Sequence, residues 1–230
     1  GKLCKERGVI FHTDATQSVG KVPMDVNKMG IDLMSISAHK FYGPKGIGAL
    51  YIRSKNPRVK VSKQTHGGSQ EKGMRSGTLN VPGIVGFGKA CEISKEVLDA
   101  ELERHLKYRD KMINEFLKLE GVTLNGHRTE RLPNNINLSI AYIDSEGLIA
   151  GMNDIAVSTG SACTSSSASP SHVLTAIGMK NDIPKAIIRM SFGRFTTEEE
   201  IDYTIKKLTD TVNELRKNSP VYKMAKEGII

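Results

Sequence analysis

A chain of 230 residues, with 38% apolar and 5% aromatic side chains, is long enough to bury a core in one large or two smaller domains. Its 33 Lys and Arg against 25 Asp and Glu leave a formal charge of +8, which favours an anionic partner; the cations are scattered among acids without a basic run or interleaved aromatics, which argues against nucleic acid. No apolar run approaches the ~20 residues of a membrane-spanning helix, and the cysteines Cys4, Cys91 and Cys163 lack metal-ligand or disulfide spacing, as free thiols of a reducing compartment do.

The chain opens at Gly1 without an initiator Met, directly into a helix-like Lys2–Glu6, and reads as the middle of a longer sequence with no targeting peptide to interpret. Strands are predicted at 8–12, 31–37 and 48–53, punctuated by glycine and proline, as in part of an α/β sheet. Residues 64–78, rich in Gly, Ser and charge, read as a loop. From Pro82 a long helix is predicted, its apolar stripe of Leu98, Leu102, Leu106, Ile113 and Leu117 running to about Leu119. The remainder reads as a separate α+β unit, with strands at 122–124, 135–140, 155–158 and 186–192 and helices near 145–153 and 171–178. A serine-rich segment after Cys163, Thr164–Ser169, reads as a mobile loop. The last helix is the clearest: Thr196 or Thr197 caps it with Glu199 or Glu200 three residues on, and Ile201, Ile205, Leu208, Val212 and Leu215 share one face. The domain division expected is 1–90 and 91–230.

Ligands of open α/β sheets sit beyond the carboxyl ends of the strands. The first apolar run ends in Asp14-Ala15-Thr16-Gln17, and the run Leu33–Lys40 is expected to end as a strand in Ser37-Ala38-His39-Lys40, followed by a Gly-rich turn from Gly43. A lysine beside an aspartate at such ends suggests a Schiff base to pyridoxal phosphate, with Asp14 on the ring nitrogen. Ion pairing there lowers the Asp pKa and raises that of the nitrogen. Gln17 can donate to the ring's phenolate oxygen, and Ser37 and His39 to the phosphate. Taken singly, Asp14 is equally a turn or cap residue and Lys40 a surface lysine; together they favour the cofactor. Cys163 follows Gly160-Ser161-Ala162, which reads as exposed and mobile, as a travelling nucleophilic thiol must be; an incidental loop cysteine is the alternative. Cys4 and Cys91 sit in amphipathic helical stretches and read as structural. Arg189 interrupts an apolar strand and needs a partner, either a substrate carboxylate or a structural acid. Gly73-Met74-Arg75-Ser76-Gly77-Thr78 offers N–H groups, a hydroxyl and a cation that suit a phosphate.

Asp14-Ala15-Thr16-Gln17, Ser37-Ala38-His39-Lys40, Tyr42-Gly43-Pro44-Lys45-Gly46-Ile47-Gly48, Arg75-Ser76-Gly77-Thr78, Ser158-Thr159-Gly160-Ser161-Ala162-Cys163 and Gly193-Arg194-Phe195-Thr196-Thr197-Glu198 occur in that order. Together they closely resemble the cysteine desulfurases of iron–sulfur cluster assembly, in the group with a long catalytic-cysteine loop. The resemblance covers almost every residue here but only somewhat more than the carboxyl-terminal half of a typical member. It implies an α/β chain of the PLP-dependent transferase fold type I: the end of the large domain at 1–90, then a linking helix and a small α+β domain at 91–230. It implies that L-cysteine is converted to L-alanine and a persulfide on Cys163, which supplies sulfur to an iron–sulfur scaffold protein and other acceptors, with Cys163 a transient cluster ligand and no intrinsic metal. Lys40, Cys163 and His39 would be catalytic; Asp14, Gln17, Ser37, His39, Lys40 and Thr78 would hold pyridoxal 5'-phosphate. Thr78 would reach the phosphate of a neighbouring subunit in a homodimer, and Arg189 would clamp the substrate carboxylate. The compartment implied is the cytoplasm of a bacterium or the mitochondrial matrix of a eukaryote, with no membrane and no nucleic acid as partner. The departures are Ala38, where bacterial members often carry Gly, Thr159 for the usual Ser, and Ser69-Gln70-Glu71-Lys72 for Gly-His-Glu-Arg. The family's ring-stacking histidine, an asparagine beside the cofactor and its glycine/threonine phosphate turn would lie upstream of Gly1, and its scaffold-docking tail just past Ile230. Alternatives are another PLP-dependent lyase or aminotransferase of the same fold, or a catalytically incomplete fragment.

Overall fold

In the computed structural model, which describes residues 1–158, 171–179 and 185–229, strand β2 (Leu33–Ser37) is the centre of the first sheet. On one side β1 (His12–Asp14) runs parallel to it, pairing His12 with Leu33, Thr13 with Met34 and Asp14 with Ser35. On the other side β3 (Gly48–Ile52) runs antiparallel, from Leu33 opposite Ile52 to Ser37 opposite Gly48. The first strand therefore lies later than the 8–12 expected from its apolar run. Pairing begins only where Phe11 O accepts the amides of Asp32 and Leu33, and Val9 and Ile10 stay exposed. A ladder can form only where partner backbone exists, and here it extends through polar Thr13 and Asp14.

The sheet packs Met34 with Ala15 and Ile31, supported by Phe11, Val19, Met24 and Val26. Its edge is tied by a buried ion pair. Asp32 meets Arg53 at 3.1 Å and accepts the Phe11 amide at 3.0 Å, while Arg53 also reaches the carbonyls of Val26 and Ile31. A short helix α1 (Lys2–Glu6) precedes the sheet.

The chain divides into two compact units, Gly1–Leu102 and Glu103–Ile230, with the boundary inside the long helix α2 (Val81–Phe116). Asn80 Oδ1 accepts the Gly83 amide at 3.1 Å and satisfies one orphan donor at its start. The buried face of its second part is Tyr108, Arg109, Met112, Ile113 and Phe116. Leu117, expected on that face, is exposed, because the face is centred on the aromatic and mixed residues rather than on the leucines.

The second unit holds an antiparallel sheet in the order β4 (Val122–Leu124), β5 (Asn135–Ala141) and β6 (Lys185–Ser191). Alternation puts Ile136, Leu138 and Ile140 of β5 opposite Met190, Ile188 and Ala186 of β6, all buried. Asn135, Asn137, Ser139 and Arg189 take the other face. The apolar side packs on α2, on α3 (Ser145–Gly151) and on α5 (Glu198–Asn218) through Phe116, Leu148, Leu208 and Val212. Helices α4 (His172–Ala176) and α6 (Pro220–Lys226) complete the described elements. The strand expected at 155–158 is instead a single bridge, Ser158 with Arg189, whose N–H and C=O groups exchange bonds of 3.1 and 2.6 Å. The serine-rich segment from Thr164 to Ser169 lies outside the described residues. Among the described residues, no helix is long and apolar enough to cross a membrane.

Candidate active site

Parallel pairing sends the carboxyl ends of β1 and β2 to one rim of the first sheet. Asp14 stands there beside Ser35, and Ser37 ends β2 two residues further on. The strand stops at Ser37 rather than running to Lys40. Residues Ala38–Phe41 wind into a single 3₁₀ turn that carries His39 and Lys40, both exposed, at the rim. Ala38 and Phe41 are buried beneath it. The Ala38 N–H donates to Ile47 O, and Tyr42 then takes a left-handed φ of 71° so that the Gly43 amide closes back on Ala38 O at 3.0 Å. At Gly43 a side chain would meet Ala38 Cβ at 2.9 Å. The methyl group of Ala38 is thus accommodated because residue 43 has none.

The rim side chains are held by one another. The Thr16 amide donates to Asp14 Oδ1 at 2.9 Å, and bonds to Thr16 hold the Asp14 carboxyl below the usual aspartate range, assisted by His12. It is ionised at neutral pH, as the partner of a pyridinium nitrogen must be. His12 Nε2 shares a 2.9 Å hydrogen bond with Ser35 Oγ, and Ser37 Oγ shares one of 2.9 Å with His39 Nδ1. Gln17 is one turn past Asp14, and Lys21 donates from Nζ to Gln17 O at 3.1 Å and to Gln17 Oε1 at 3.2 Å. Burial lowers the Lys21 pKa, and the charge of Lys40 lowers it further, so the two ammonium groups share one rim. Lys21 is not among the residues that the sequence singles out, since the turn around it carries no signal that the lysine folds back onto Gln17.

This donor set fits pyridoxal phosphate: an ionised carboxylate for a pyridinium N–H, an amide for a ring oxygen, a hydroxyl and an imidazole for a phosphate, and a primary amine on the same rim. Asp14, Gln17, Ser37, His39 and Lys40 all lie in or just after the ends of β1 and β2. In the loop of residues 73–78 some of the polar groups are already bonded, while the side chain of Arg75 is exposed. Ser76 is buried and donates to His66 O at 2.8 Å, and the amides of Gly73, Met74 and Gly77 are bonded within the loop. Thr78 is exposed.

Arg189 belongs to the second unit, on the polar face of β6 opposite Asn137, exposed, with a guanidinium nitrogen 3.5 Å from Ser158 Oγ. Cys163 lies outside the described residues. Cys4 is half-buried; Cys91 is exposed on α2, and partial burial pushes its thiol up, away from a reactive thiolate.

Known proteins resemble this chain over most or all of its length. Cysteine desulfurase IscS of Pectobacterium carotovorum is 52% identical over 229 residues, covering 100% of this chain and 56% of that protein; the IscS of Pseudomonas aeruginosa shows the same identity and coverage. Among solved structures, a NifS-like protein matches with a TM-score of 0.78 at 38% identity, over 92% of this chain and 54% of its own. A NifS-like protein from Rickettsia africae matches with a TM-score of 0.79 at 29% identity, over 92% of this chain and 56% of its own. The chain therefore spans about half the length of the relatives it matches, and it has the α/β architecture of PLP-dependent transferases of fold type I. The family model described as aminotransferase class-V matches residues 1–204, and the chain belongs to that family.

Proposed function

We propose that this chain carries the lysine-bearing part of the large domain and the small domain of a pyridoxal-phosphate-dependent cysteine desulfurase. Such an enzyme converts L-cysteine to L-alanine and holds the sulfur as a persulfide on Cys163. The observation that supports this most directly is the gathering of Asp14, Gln17, Ser37, His39 and Lys40 on one sheet rim, with the first four side chains held by hydrogen bonds.

Pyridoxal phosphate, when bound, supplies an electron-withdrawing protonated pyridine ring. Asp14 keeps negative charge at the ring nitrogen. Gln17 donates to the ring oxygen, and Ser37 with His39 holds the phosphate. Lys40 Nζ would hold the cofactor and would take the proton from the substrate's α-carbon. Arg189 grips the substrate carboxylate with its planar fork. The Cys163 thiolate attacks the substrate sulfur: an S–S bond forms, the Cβ–S bond breaks, and its electron pair stays with the carbon that becomes the methyl group of alanine. A homodimer in which Thr78 reaches the neighbouring subunit's phosphate follows from the same reading, as do an iron–sulfur scaffold and other proteins as sulfur acceptors. The compartment is then the bacterial cytoplasm or its organellar equivalent.

The test is incubation with pyridoxal phosphate and L-cysteine, followed by alanine assay and mass spectrometry of the cysteines. Added sulfur is expected on Cys163 and on neither Cys4 nor Cys91. Lys40→Ala should abolish alanine formation and the borohydride-reducible adduct, whereas Cys163→Ser should keep the cofactor's visible band and lose sulfur transfer. A reducible adduct surviving in Lys40→Ala would remove Lys40 from its role. Turnover without sulfur on Cys163 would favour another lyase or aminotransferase reaction. A form extended to the relatives' full length is expected to bind the cofactor more tightly than these 230 residues, in which Asp14, Gln17, His39 and Lys40 are exposed.

A further inference from the structure

Between Ala15 and Val22 the backbone coils tightly. The amides of Ser18 and Val19 both donate to Ala15 O, and those of Lys21 and Val22 to Ser18 O, at 3.0 to 3.1 Å. This brings the Lys21 side chain back over the preceding turn, where its ammonium donates to both the backbone and the side-chain oxygen of Gln17. An ammonium is donor only, so the end of the Gln17 amide that it holds is the carbonyl oxygen, and the NH₂ end is the one left to face a ligand. A solvated surface lysine would show neither of two further features. The side chain is half-buried, and its charge lies within the field of Lys40. Gly20, immediately before it, packs against Phe41 of the Lys40 turn so closely that an added methyl group would come within 2.9 Å of Phe41 Cβ. The turn that carries Lys21 is therefore seated on the turn that carries Lys40.

We propose that Lys21 is a positioning residue for the cofactor ring: by holding Gln17 Oε1 it fixes the amide as a donor toward an anionic ring oxygen, and it sets a second cation beside Lys40 on the face that receives an anionic ligand. This rests on the reading of the rim as a pyridoxal-phosphate site. It assigns to Lys21 an action through Gln17 and no contact with the reacting atoms. Were the amide free to turn, its oxygen could face the ring oxygen, and the hydrogen bond would be lost in that orientation.

Two measurements on the full-length protein test it. The first needs no cofactor: the Gln17 side-chain amide resonances of ¹⁵N-labelled protein should be dispersed in the parent, stay so in Lys21→Arg, and collapse toward free-amide positions in Lys21→Met. Resonances unmoved in Lys21→Met would overturn the proposal, whatever the rim binds. The second is an absorbance titration with pyridoxal phosphate. Lys21→Met should weaken binding about tenfold, the order of one hydrogen bond to a charged group, and shift the visible band. Lys21→Arg should recover most of the affinity. In the Gln17→Ala background, Lys21→Met should cost no more than about twofold, since the group it positions is gone. An equal loss in both backgrounds would show that Lys21 acts independently of Gln17 and would overturn the positioning role. If Lys21→Met does not fold, Lys21→Gln serves in both measurements. Failure of the parent to bind pyridoxal phosphate would sink the cofactor reading, while the resonance test would still decide whether Lys21 holds Gln17.

Discussion

Gly20 shows how strictly single residues shape the rim. Its φ is +74°, and a side chain there would also press on Ser94 Oγ at 3.2 Å. Gly20→Ala combines a left-handed alanine with a clash against Phe41, and is expected to cost about 1–3 kcal/mol. It should also weaken pyridoxal phosphate binding, because Phe41 cannot yield without moving the turn of His39 and Lys40. Urea denaturation and a cofactor titration on the same variant check both effects. Such positions differ in how openly the sequence announces them. Asp14, Gln17, Ser37 and Lys40 were legible because each lies in a short motif at the end of an apolar run, where chemistry is expected. Lys21 was not, since a lysine in a turn looks the same whether it is solvated or folded back onto a glutamine.

At the scale of elements, helix α5 begins with a complete capping box. The Glu200 amide donates to Thr197 Oγ1 at 3.2 Å, and the Thr197 amide to Glu200 Oε2 at 2.9 Å. Thr197→Ala should destabilise the second unit by about 1 kcal/mol, lowering its melting temperature by about 3 °C, measurable by calorimetry. Next to the cap, Glu198 bridges Lys107 and Lys111 of α2 at 2.9 and 3.3 Å, and these bonds hold its carboxyl below the usual glutamate range. A depressed carboxylate stabilises above its unfolded pKa and loses that contribution as pH falls through the folded one, so this tie is a feature of neutral pH that fades in acid. The capping box was readable because Thr-x-x-Glu is a local signal. The two misplaced strands were not, because 8–12 and 155–158 are strands only to the extent that a distant partner pairs with them. Phe11 and Ser158 are the residues at which pairing starts.

For the whole molecule, the two units are unequal in what they bury. The second has a continuous core of Ile136, Leu138, Ile140, Leu148, Ile188, Leu208 and Val212, all fully buried, while the first gathers a small cluster of Ala15, Ile31 and Met34 behind partly covered neighbours, with Ala38 and Phe41 buried beneath the turn of residues 38–41. Local opening should follow this difference. In hydrogen exchange on the 230-residue chain, the amides of β5 and β6 are expected to be the slowest, and those of β1 and of residues 38–48 to exchange orders of magnitude sooner. Comparable protection in both units would contradict this reading of their cores. The sequence conveyed the α/β character of the first part and the α+β character of the second, because apolar periodicity reports burial within an element. It could not convey which unit would be well filled, since that depends on how much surface each sheet covers.

The mutual hydrogen bonds along the rim bear on the entropy of recognition. Asp14 is pinned by the Thr16 amide, Gln17 by Lys21, and Ser37 and His39 by each other. Side chains already confined to one rotamer surrender little freedom when a guest arrives, so more of the gross interaction energy survives as affinity. The same confinement makes the rim selective by shape. A ligand whose acceptors and donors fall elsewhere would have to break these bonds before making its own.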